Sequence, residues 1–143
     1  MDAPNYEPRY LAGILYFNQG DYFEAHEVWE DLWHDATGRD RRFYQGLIQV
    51  AVGLLHFANG NARGAQRLYQ SSRDYLQPTR PAYMGLNVEK LLSEQEACCE
   101  PLRREPLPQP LELADELLPT IELVPAPATW PDPKQFLPDD EDH

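Results

Sequence analysis

The sequence predicts an all-α protein: a helical bundle of two related helical hairpins plus a fifth helix, followed by a proline-rich acidic C-terminal tail. Three observations support this fold class. Apolar residues recur every three or four positions through the first 104 residues, which is the spacing of one helix face. Glycine, asparagine and aspartate interrupt these stretches where helices commonly end and begin. Most of the 14 prolines, by contrast, lie beyond residue 105.

A glycine and an aspartate separate the first two helices. Helix one is predicted over residues 7–18 and ends before Gly20, because glycine readily adopts the left-handed conformation that follows helix C-termini. Asp21 is expected to begin helix two by accepting backbone N–H groups, and Glu24 completes a capping-box pattern. The apolar face of helix two consists of Tyr22, Ala25, Trp29, Leu32, Trp33 and Ala36.

Helix three, about residues 41–58, is the most apolar and is therefore predicted to be central. Gly46 and Gly53 lie on one side of it, so a neighbouring helix is expected to approach closely there. Asn61 is expected to cap helix four, and Asn87, after a proline-containing loop, to cap helix five.

The two hairpins are related by an internal repeat with an offset of 40 residues. Each pairs a helix-ending glycine with a residue that can cap the next helix. The hairpin resembles a tetratricopeptide unit, although the period is longer than the usual one. The matching pairs include Gly20 and Gly60, Asp21 and Asn61, Ala25 and Ala65, and Trp29 and Tyr69.

Charge and proline content divide the chain into a bundle domain, residues 1–104, and a C-terminal tail, residues 105–143. The tail holds ten of the 24 acidic residues and one of the 12 basic residues, which leaves the bundle close to neutral. We expect the tail to be partly docked or disordered. Its predicted features are a short helix over Leu111–Leu118, docking residues Trp130, Phe136 and Leu137, and a mobile end over 139–143.

Composition also excludes some functions. A net charge of −12 repels phosphate backbones, so nucleic-acid binding is not expected. No apolar stretch is long enough to predict a membrane span, and no signal peptide is recognised, so we expect a cytoplasmic protein. The adjacent Cys98 and Cys99 are predicted to be free thiols, because adjacent cysteines rarely form a disulfide.

The richest polar cluster lies on helix two. His26, Glu30 and His34 are spaced by four residues and therefore form one stripe beside the tryptophan face. Helix three carries a matching stripe that includes Gln45 and Gln49. Polar groups beside a mostly apolar helix need partners, so we expect the two stripes to face each other.

This cluster allows two interpretations. The first is a ligand site or divalent-metal site formed by His26, Glu27, Glu30, Gln45 and Gln49. In it His26 and Glu30 would hold the metal, and Glu27 would support it or act as a base. The arrangement differs from the zinc-protease motif because Glu30 stands where the second histidine belongs. The second interpretation is a purely structural polar network that fixes the register of the hairpins.

A small basic group, Arg39, Arg41 and Arg42, lies near the start of helix three. It could bind phosphate, but basic residues at a helix N-terminus oppose the helix dipole. Pairing with Asp35, Asp40 or the acidic tail is therefore the favoured expectation.

Three ordered motifs, residues 17–33, 46–51 and 60–65, make the chain similar to the domain of unknown function family numbered 309. The resemblance covers roughly residues 10–92. It implies a small multihelical bundle in a cytoplasmic protein, with no established activity. The family's motif residues correspond here to His26, Glu27, Glu30, Gln45, Gln49, Asn61 and Gly64.

We therefore expect a small helical protein with a ligand or divalent-metal site between helices two and three. The alternative is a tetratricopeptide-like protein-interaction module without catalytic activity. The sequence assigns no enzyme reaction. A small-molecule ligand, a protein partner and a homo-oligomer all fit this pattern.

Overall fold

The computed structural model describes residues 5–138. Within that range the chain forms five α-helices and one two-stranded antiparallel hairpin, which confirms the predicted all-α bundle. The helices are α1 (Pro8–Asn18), α2 (Tyr22–Asp35), α3 (Gly38–Ala58), α4 (Ala62–Leu76) and α5 (Val88–Cys98). The strands are β1 (Ala82–Tyr83) and β2 (Leu86–Asn87), and short 3-10 turns occupy Gln77–Thr79, Glu100–Arg103, Asp115–Leu117 and Pro133–Phe136.

The first four helices pack mainly on their neighbours in sequence: α1 on α2, α2 on α3, and α3 on α4. Helix α3 is buried along most of its length, as predicted for a central helix. Gly46 and Gly53 lie against α4, where a Cβ would be 2.7 Å from Leu76 and 3.3 Å from Leu68. These two glycines therefore allow the close α3–α4 contact that the sequence predicts.

The internal repeat is visible in the backbone of the two hairpin turns. Gly20 and Gly60 adopt left-handed conformations with φ of 82° and 79°. The next amide donates to a carbonyl five residues earlier in both turns, from Asp21 to Tyr16 at 2.9 Å and from Asn61 to His56 at 2.8 Å.

The capping predictions have mixed outcomes. The Asn61 side chain accepts from the Gly64 amide at 3.0 Å, and the Asn87 side chain accepts from the Lys90 amide at 2.9 Å. The prediction of a capping box at Asp21 is wrong, because the Asp21 side chain makes no hydrogen bond to the start of α2. Helix α3 also begins earlier than predicted, at Gly38, so the basic group lies inside its first turns.

Part of the C-terminal tail lies against the bundle. Ile121 and Leu123 are buried, and Leu123 forms an antiparallel bridge with Leu86. Asn18 holds Ile121 through two hydrogen bonds of 2.8 Å, one to its carbonyl and one from its amide. These contacts join the end of α1 to the region around β2.

The rest of the tail differs in detail from expectation. Instead of a helix over Leu111–Leu118, only the 3-10 turn Asp115–Leu117 forms. Phe136 and Leu137 pack against the core, whereas Trp130 remains 41% exposed. The expectation for 139–143 lies outside the described residues.

Cys98 and Cys99 are buried and free, as predicted. Within residues 5–138, no helix is both long and apolar enough to cross a membrane.

Candidate functional site

The polar stripe of helix α2 lies beside the helix face that packs in the core. Val28 and Trp29 are fully buried, so the residues on either side of them lie at the edge of the α2–α3 contact. His26 and Glu30 occupy that edge, with side chains 23% and 47% exposed. The stripe is therefore accessible from solvent rather than sealed in the core.

His26 lies between two carboxylates. Its Nε2 is 2.7 Å from Glu30 Oε2, and its Nδ1 is 3.5 Å from Glu27 Oε1. The close contact with Glu30 orients the imidazole ring. Within residues 5–138, no group of three or more histidine, cysteine, aspartate or glutamate residues is placed to hold a metal ion.

The stripes of α2 and α3 meet at Glu30 and Gln45. Together with Trp33 and Ile48, these residues line a pocket of about 200 Å³. Gln49 lies one helical turn beyond Gln45, and its Oε1 atom is buried without a hydrogen-bond partner among the described residues. A buried carbonyl oxygen without a donor is costly, and a bound donor would remove that cost.

A second pocket adjoins the first. It has a volume of about 310 Å³ and shares Trp33 and Gln45 with its neighbour. The two pockets therefore form one surface depression, which we call the α2–α3 groove. Its lining residues are Glu30, Trp33, Arg41, Arg42, Gln45, Ile48 and Tyr75.

Both arginines of the groove stack on aromatic rings. The Arg41 Cζ atom is 4.0 Å from the centre of the Trp33 ring, and the Arg42 Cζ atom is 4.9 Å from the centre of the Tyr75 ring. Cation–π attraction of this kind favours one orientation of a planar guanidinium.

Among residues 5–138, neither of these arginines forms an ion pair with Asp35 or Asp40, so that part of the expected pairing is wrong, while the acidic end of the tail lies outside the described residues. Asp35 instead pairs with Arg9 at 2.8 Å, and Asp40 accepts a hydrogen bond from the Tyr83 hydroxyl. Both partners come from segments distant in sequence, which a reading of local spacing does not anticipate.

The two remaining helical histidines lie in other surroundings. His34 is exposed, and its ring packs edge-on against Trp33 with 5.1 Å between ring centres. His56 Nδ1 is 3.2 Å from the Asn61 amide nitrogen, beside the α3–α4 turn. Neither histidine lines the groove.

Two of the predicted site residues, Glu30 and Gln45, line the groove directly. His26 borders it through Glu30, while Glu27 and Gln49 lie next to lining residues and line neither of these two pockets. The sequence missed Tyr75 and assigned Trp33 to the core. A usable signal for Trp33 was its position one turn after Glu30, since such neighbours share a helix surface.

Comparison with known proteins gives one family match. Residues 10–68 match the model of the family described as Domain of unknown function (DUF309), which is the family that the motifs predicted. The match includes all five predicted site residues. It ends within α4, before Tyr75.

Two relatives illustrate the spread of similar sequences. The chain is 34% identical over 99 residues to "Uncharacterized protein YpuF" of Bacillus subtilis (strain 168), which covers 66% of this chain and 57% of the relative. It is 26% identical over 76 residues to an "Uncharacterized protein" of Aquifex aeolicus (strain VF5), covering 52% of this chain and 23% of the relative. The chain thus spans little more than half of the first relative's length.

Proposed function

We propose that this protein binds a small polar ligand in the α2–α3 groove, as a binding protein rather than a catalyst. The observation that carries the proposal is that Glu30 of α2 and Gln45 of α3 line the same open pocket. If the two polar stripes served only to fix the register of the helices, their side chains would be expected to hydrogen-bond to each other. Here they border accessible space instead.

The groove combines the features of a small-molecule site. Its two pockets, about 200 and 310 Å³, together fall within the usual range for such sites. Trp33 and Ile48 supply apolar surface, while the Gln45 amide and the Glu30 carboxylate supply directional hydrogen bonds.

A binding role fits these residues better than catalysis. Both ring nitrogens of His26 face carboxylates, so the imidazole is held in place rather than directed at a substrate. The residues that line the two pockets include no serine, threonine or cysteine nucleophile. For a divalent metal, His26 and Glu30 would supply two protein ligands, fewer than the three usual at catalytic zinc sites.

The three tryptophans provide the experimental test, because each indole N–H gives its own signal in a ¹⁵N–¹H spectrum. Trp33 lines the groove, Trp29 is buried, and Trp130 lies in the tail. The protein is screened against a library of small polar metabolites and, separately, against zinc and manganese ions. A ligand of the groove should shift the Trp33 indole and Gln45 side-chain signals while leaving Trp130 unchanged.

Matched variants complete this test. Glu30→Gln and Gln45→Ala should each weaken binding about tenfold, the cost of one charge-assisted or buried hydrogen bond. Gln70→Ala serves as the control, because Gln70 is exposed on α4, lines neither pocket and donates a hydrogen bond to Asp74. The proposal fails if no compound moves the Trp33 signal, or if binding is equally strong in all three variants.

A protein-interaction module is the alternative, and the exposure of Phe23 favours it. Phe23 is 50% exposed, and its ring centre is 5.9 Å from that of His26, on the same side of α2. A protein partner, including a second copy of this chain, would cover that ring. Sedimentation of the wild type and Phe23→Ser across a concentration series tests the second-copy case. Concentration-dependent dimers that Phe23→Ser abolishes would favour the alternative.

A further inference from the structure

We propose that Arg41 and Arg42 anchor an anionic group, a carboxylate or a phosphate, on the ligand of the α2–α3 groove. The inference rests on the proposed function and specifies its ligand class: a small organic acid or phosphate ester. Both arginines line the pocket of about 310 Å³, which is the larger part of the groove.

The stacking geometry leaves the guanidinium edges available. Trp33 and Tyr75 each cover one face of an arginine, at 4.0 and 4.9 Å from the Cζ atoms. The N–H donors of a guanidinium point outward in its plane, so a stacked face does not consume them. Two such forks beside one pocket match the paired oxygens of a carboxylate or a phosphate.

No protein acceptor uses these donors within residues 5–138, where neither arginine forms a side-chain hydrogen bond or a salt bridge. The two carboxylates closest in sequence are engaged by other residues. Asp35 pairs with Arg9, and Asp40 accepts from Tyr83. Among residues 5–138, the guanidinium donors at this end of the groove are therefore free to bind an anion, although the net charge of the protein is −12.

The charge distribution within the groove gives the ligand a direction. Glu30 lies in the adjoining pocket, and its Oε2 atom is 2.7 Å from His26 Nε2. An anion is repelled from that end and attracted to the arginine end. Both arginines also lie in the first turns of α3, which starts at Gly38, and the helix dipole there favours negative charge.

A small anion suits this site better than a polyanion does. The arginine pair is local, and ten acidic residues follow in the tail, so an extended phosphate backbone would meet repulsion elsewhere on the surface. Two guanidiniums at one pocket can hold a single anionic group without involving the remaining surface.

The experiment titrates the full chain separately with inorganic phosphate and with succinate, at ionic strength held constant with sodium chloride. The readouts are the Trp33 indole signal and the Nε–H signals of the arginines. We expect saturable shifts with at least one probe, and the stronger probe identifies the anionic group. Arg41→Gln and Arg42→Gln should each weaken that binding about tenfold or more.

Arg39→Gln is the matched control, because Arg39 is exposed in the same turn of α3 and lines neither pocket. Equal weakening of binding in Arg39→Gln overturns the proposal, because it shows only general charge attraction. The absence of a saturable response to either probe overturns it as well. In a further outcome, a neutral library compound binds the groove as tightly in Arg41→Gln and Arg42→Gln as in the wild type. That result, without anion binding, overturns the anion anchor but supports the ligand groove. If neither the library nor the anions move the Trp33 signal, both proposals fail.

Discussion

The indole ring of Trp29 occupies the space that a side chain at position 13 would fill. A Cβ atom built on Gly13 would lie 1.9 Å from Trp29 Nε1, and the same nitrogen donates to the Tyr10 carbonyl at 3.2 Å. Trp29 is fully buried and also packs against Phe17. The α1–α2 interface therefore depends on the absence of a side chain at position 13.

We predict that Gly13→Ala destabilises the protein by about 3 kcal/mol, because the added methyl group must displace a fully buried ring. Urea denaturation followed by circular dichroism measures the change. Gly53→Ala is the comparison: both helical positions gain about 1 kcal/mol of helix propensity, but a Cβ at Gly53 would meet Leu68 at 3.3 Å, so its steric cost should be much smaller. Equal loss of stability in the two variants would contradict this account.

A buried hydrogen bond joins α4 to α5, and its removal should be costly. Gln95 donates from Nε2 to the Ser72 hydroxyl at 2.8 Å, and its Oε1 accepts from Arg73 at 3.2 Å. We predict that Gln95→Ala lowers the free energy of unfolding by about 1–3 kcal/mol, because buried polar groups lose their partner. A double-mutant cycle with Ser72→Ala should give a coupling energy of about 1 kcal/mol. Additive effects would show that this bond contributes little.

Stability should fall at alkaline pH as buried tyrosines ionise. Burial, assisted by the nearby Asp40 carboxylate, raises the pKa of Tyr44 to about 12. An unfolded tyrosine ionises near pH 10, so this stabilising contribution is complete below pH 10 and is lost as the pH rises towards 12. Tyr44→Phe should therefore flatten the decline by about 2 kcal/mol at the alkaline end.

At neutral pH the same variant should change stability by less than about 1 kcal/mol, because within residues 5–138 the Tyr44 hydroxyl hydrogen-bonds only to the Met84 sulfur, at 3.5 Å. Urea titrations at a series of pH values measure both effects. Parallel pH profiles for the wild type and the variant would contradict the prediction.

The contact between Asn18 and the tail gives a further prediction. Asn18→Ala removes both hydrogen bonds to Ile121 and leaves a buried backbone amide and carbonyl without partners. We expect faster hydrogen exchange over residues 118–125 and a loss of about 1–3 kcal/mol. Asn59→Ala is the control, because Asn59 is exposed at the end of α3. Unchanged exchange rates in Asn18→Ala would mean that burial of Ile121 and Leu123 alone holds the segment.

Local sequence patterns predicted the parts of the fold that depend on interactions between residues close in sequence or on one helix face. The caps at Asn61 and Asn87, the α3–α4 approach at Gly46 and Gly53, and the central position of α3 all follow from spacing and residue type. The position of Ile121 does not, because the tail has no helical period and its hydrogen-bond partner, Asn18, lies 103 residues earlier.

In the candidate site, too, the sequence predicted the features set by local spacing but not those set by long-range contacts. Helical spacing predicted the stripes that contain Glu30 and Gln45, which line one pocket. It could not identify the partners of Asp35 and Asp40, because Arg9 and Tyr83 belong to other elements. Those long-range pairs engage the carboxylates that local spacing assigned to Arg41 and Arg42, so the availability of the two arginines became visible only in three dimensions.

The bond between Asn18 and Ile121 also constrains how the chain folds during synthesis. At translation rates of about 5–20 residues per second, Ile121 leaves the ribosome about 5–20 s after Asn18. During that interval the outer surface of α1 lacks the tail that later covers it. The nascent protein thus passes through a stage in which all five helices have emerged while the tail segment that packs on the first is still missing. Chaperone contact would be most useful at that stage.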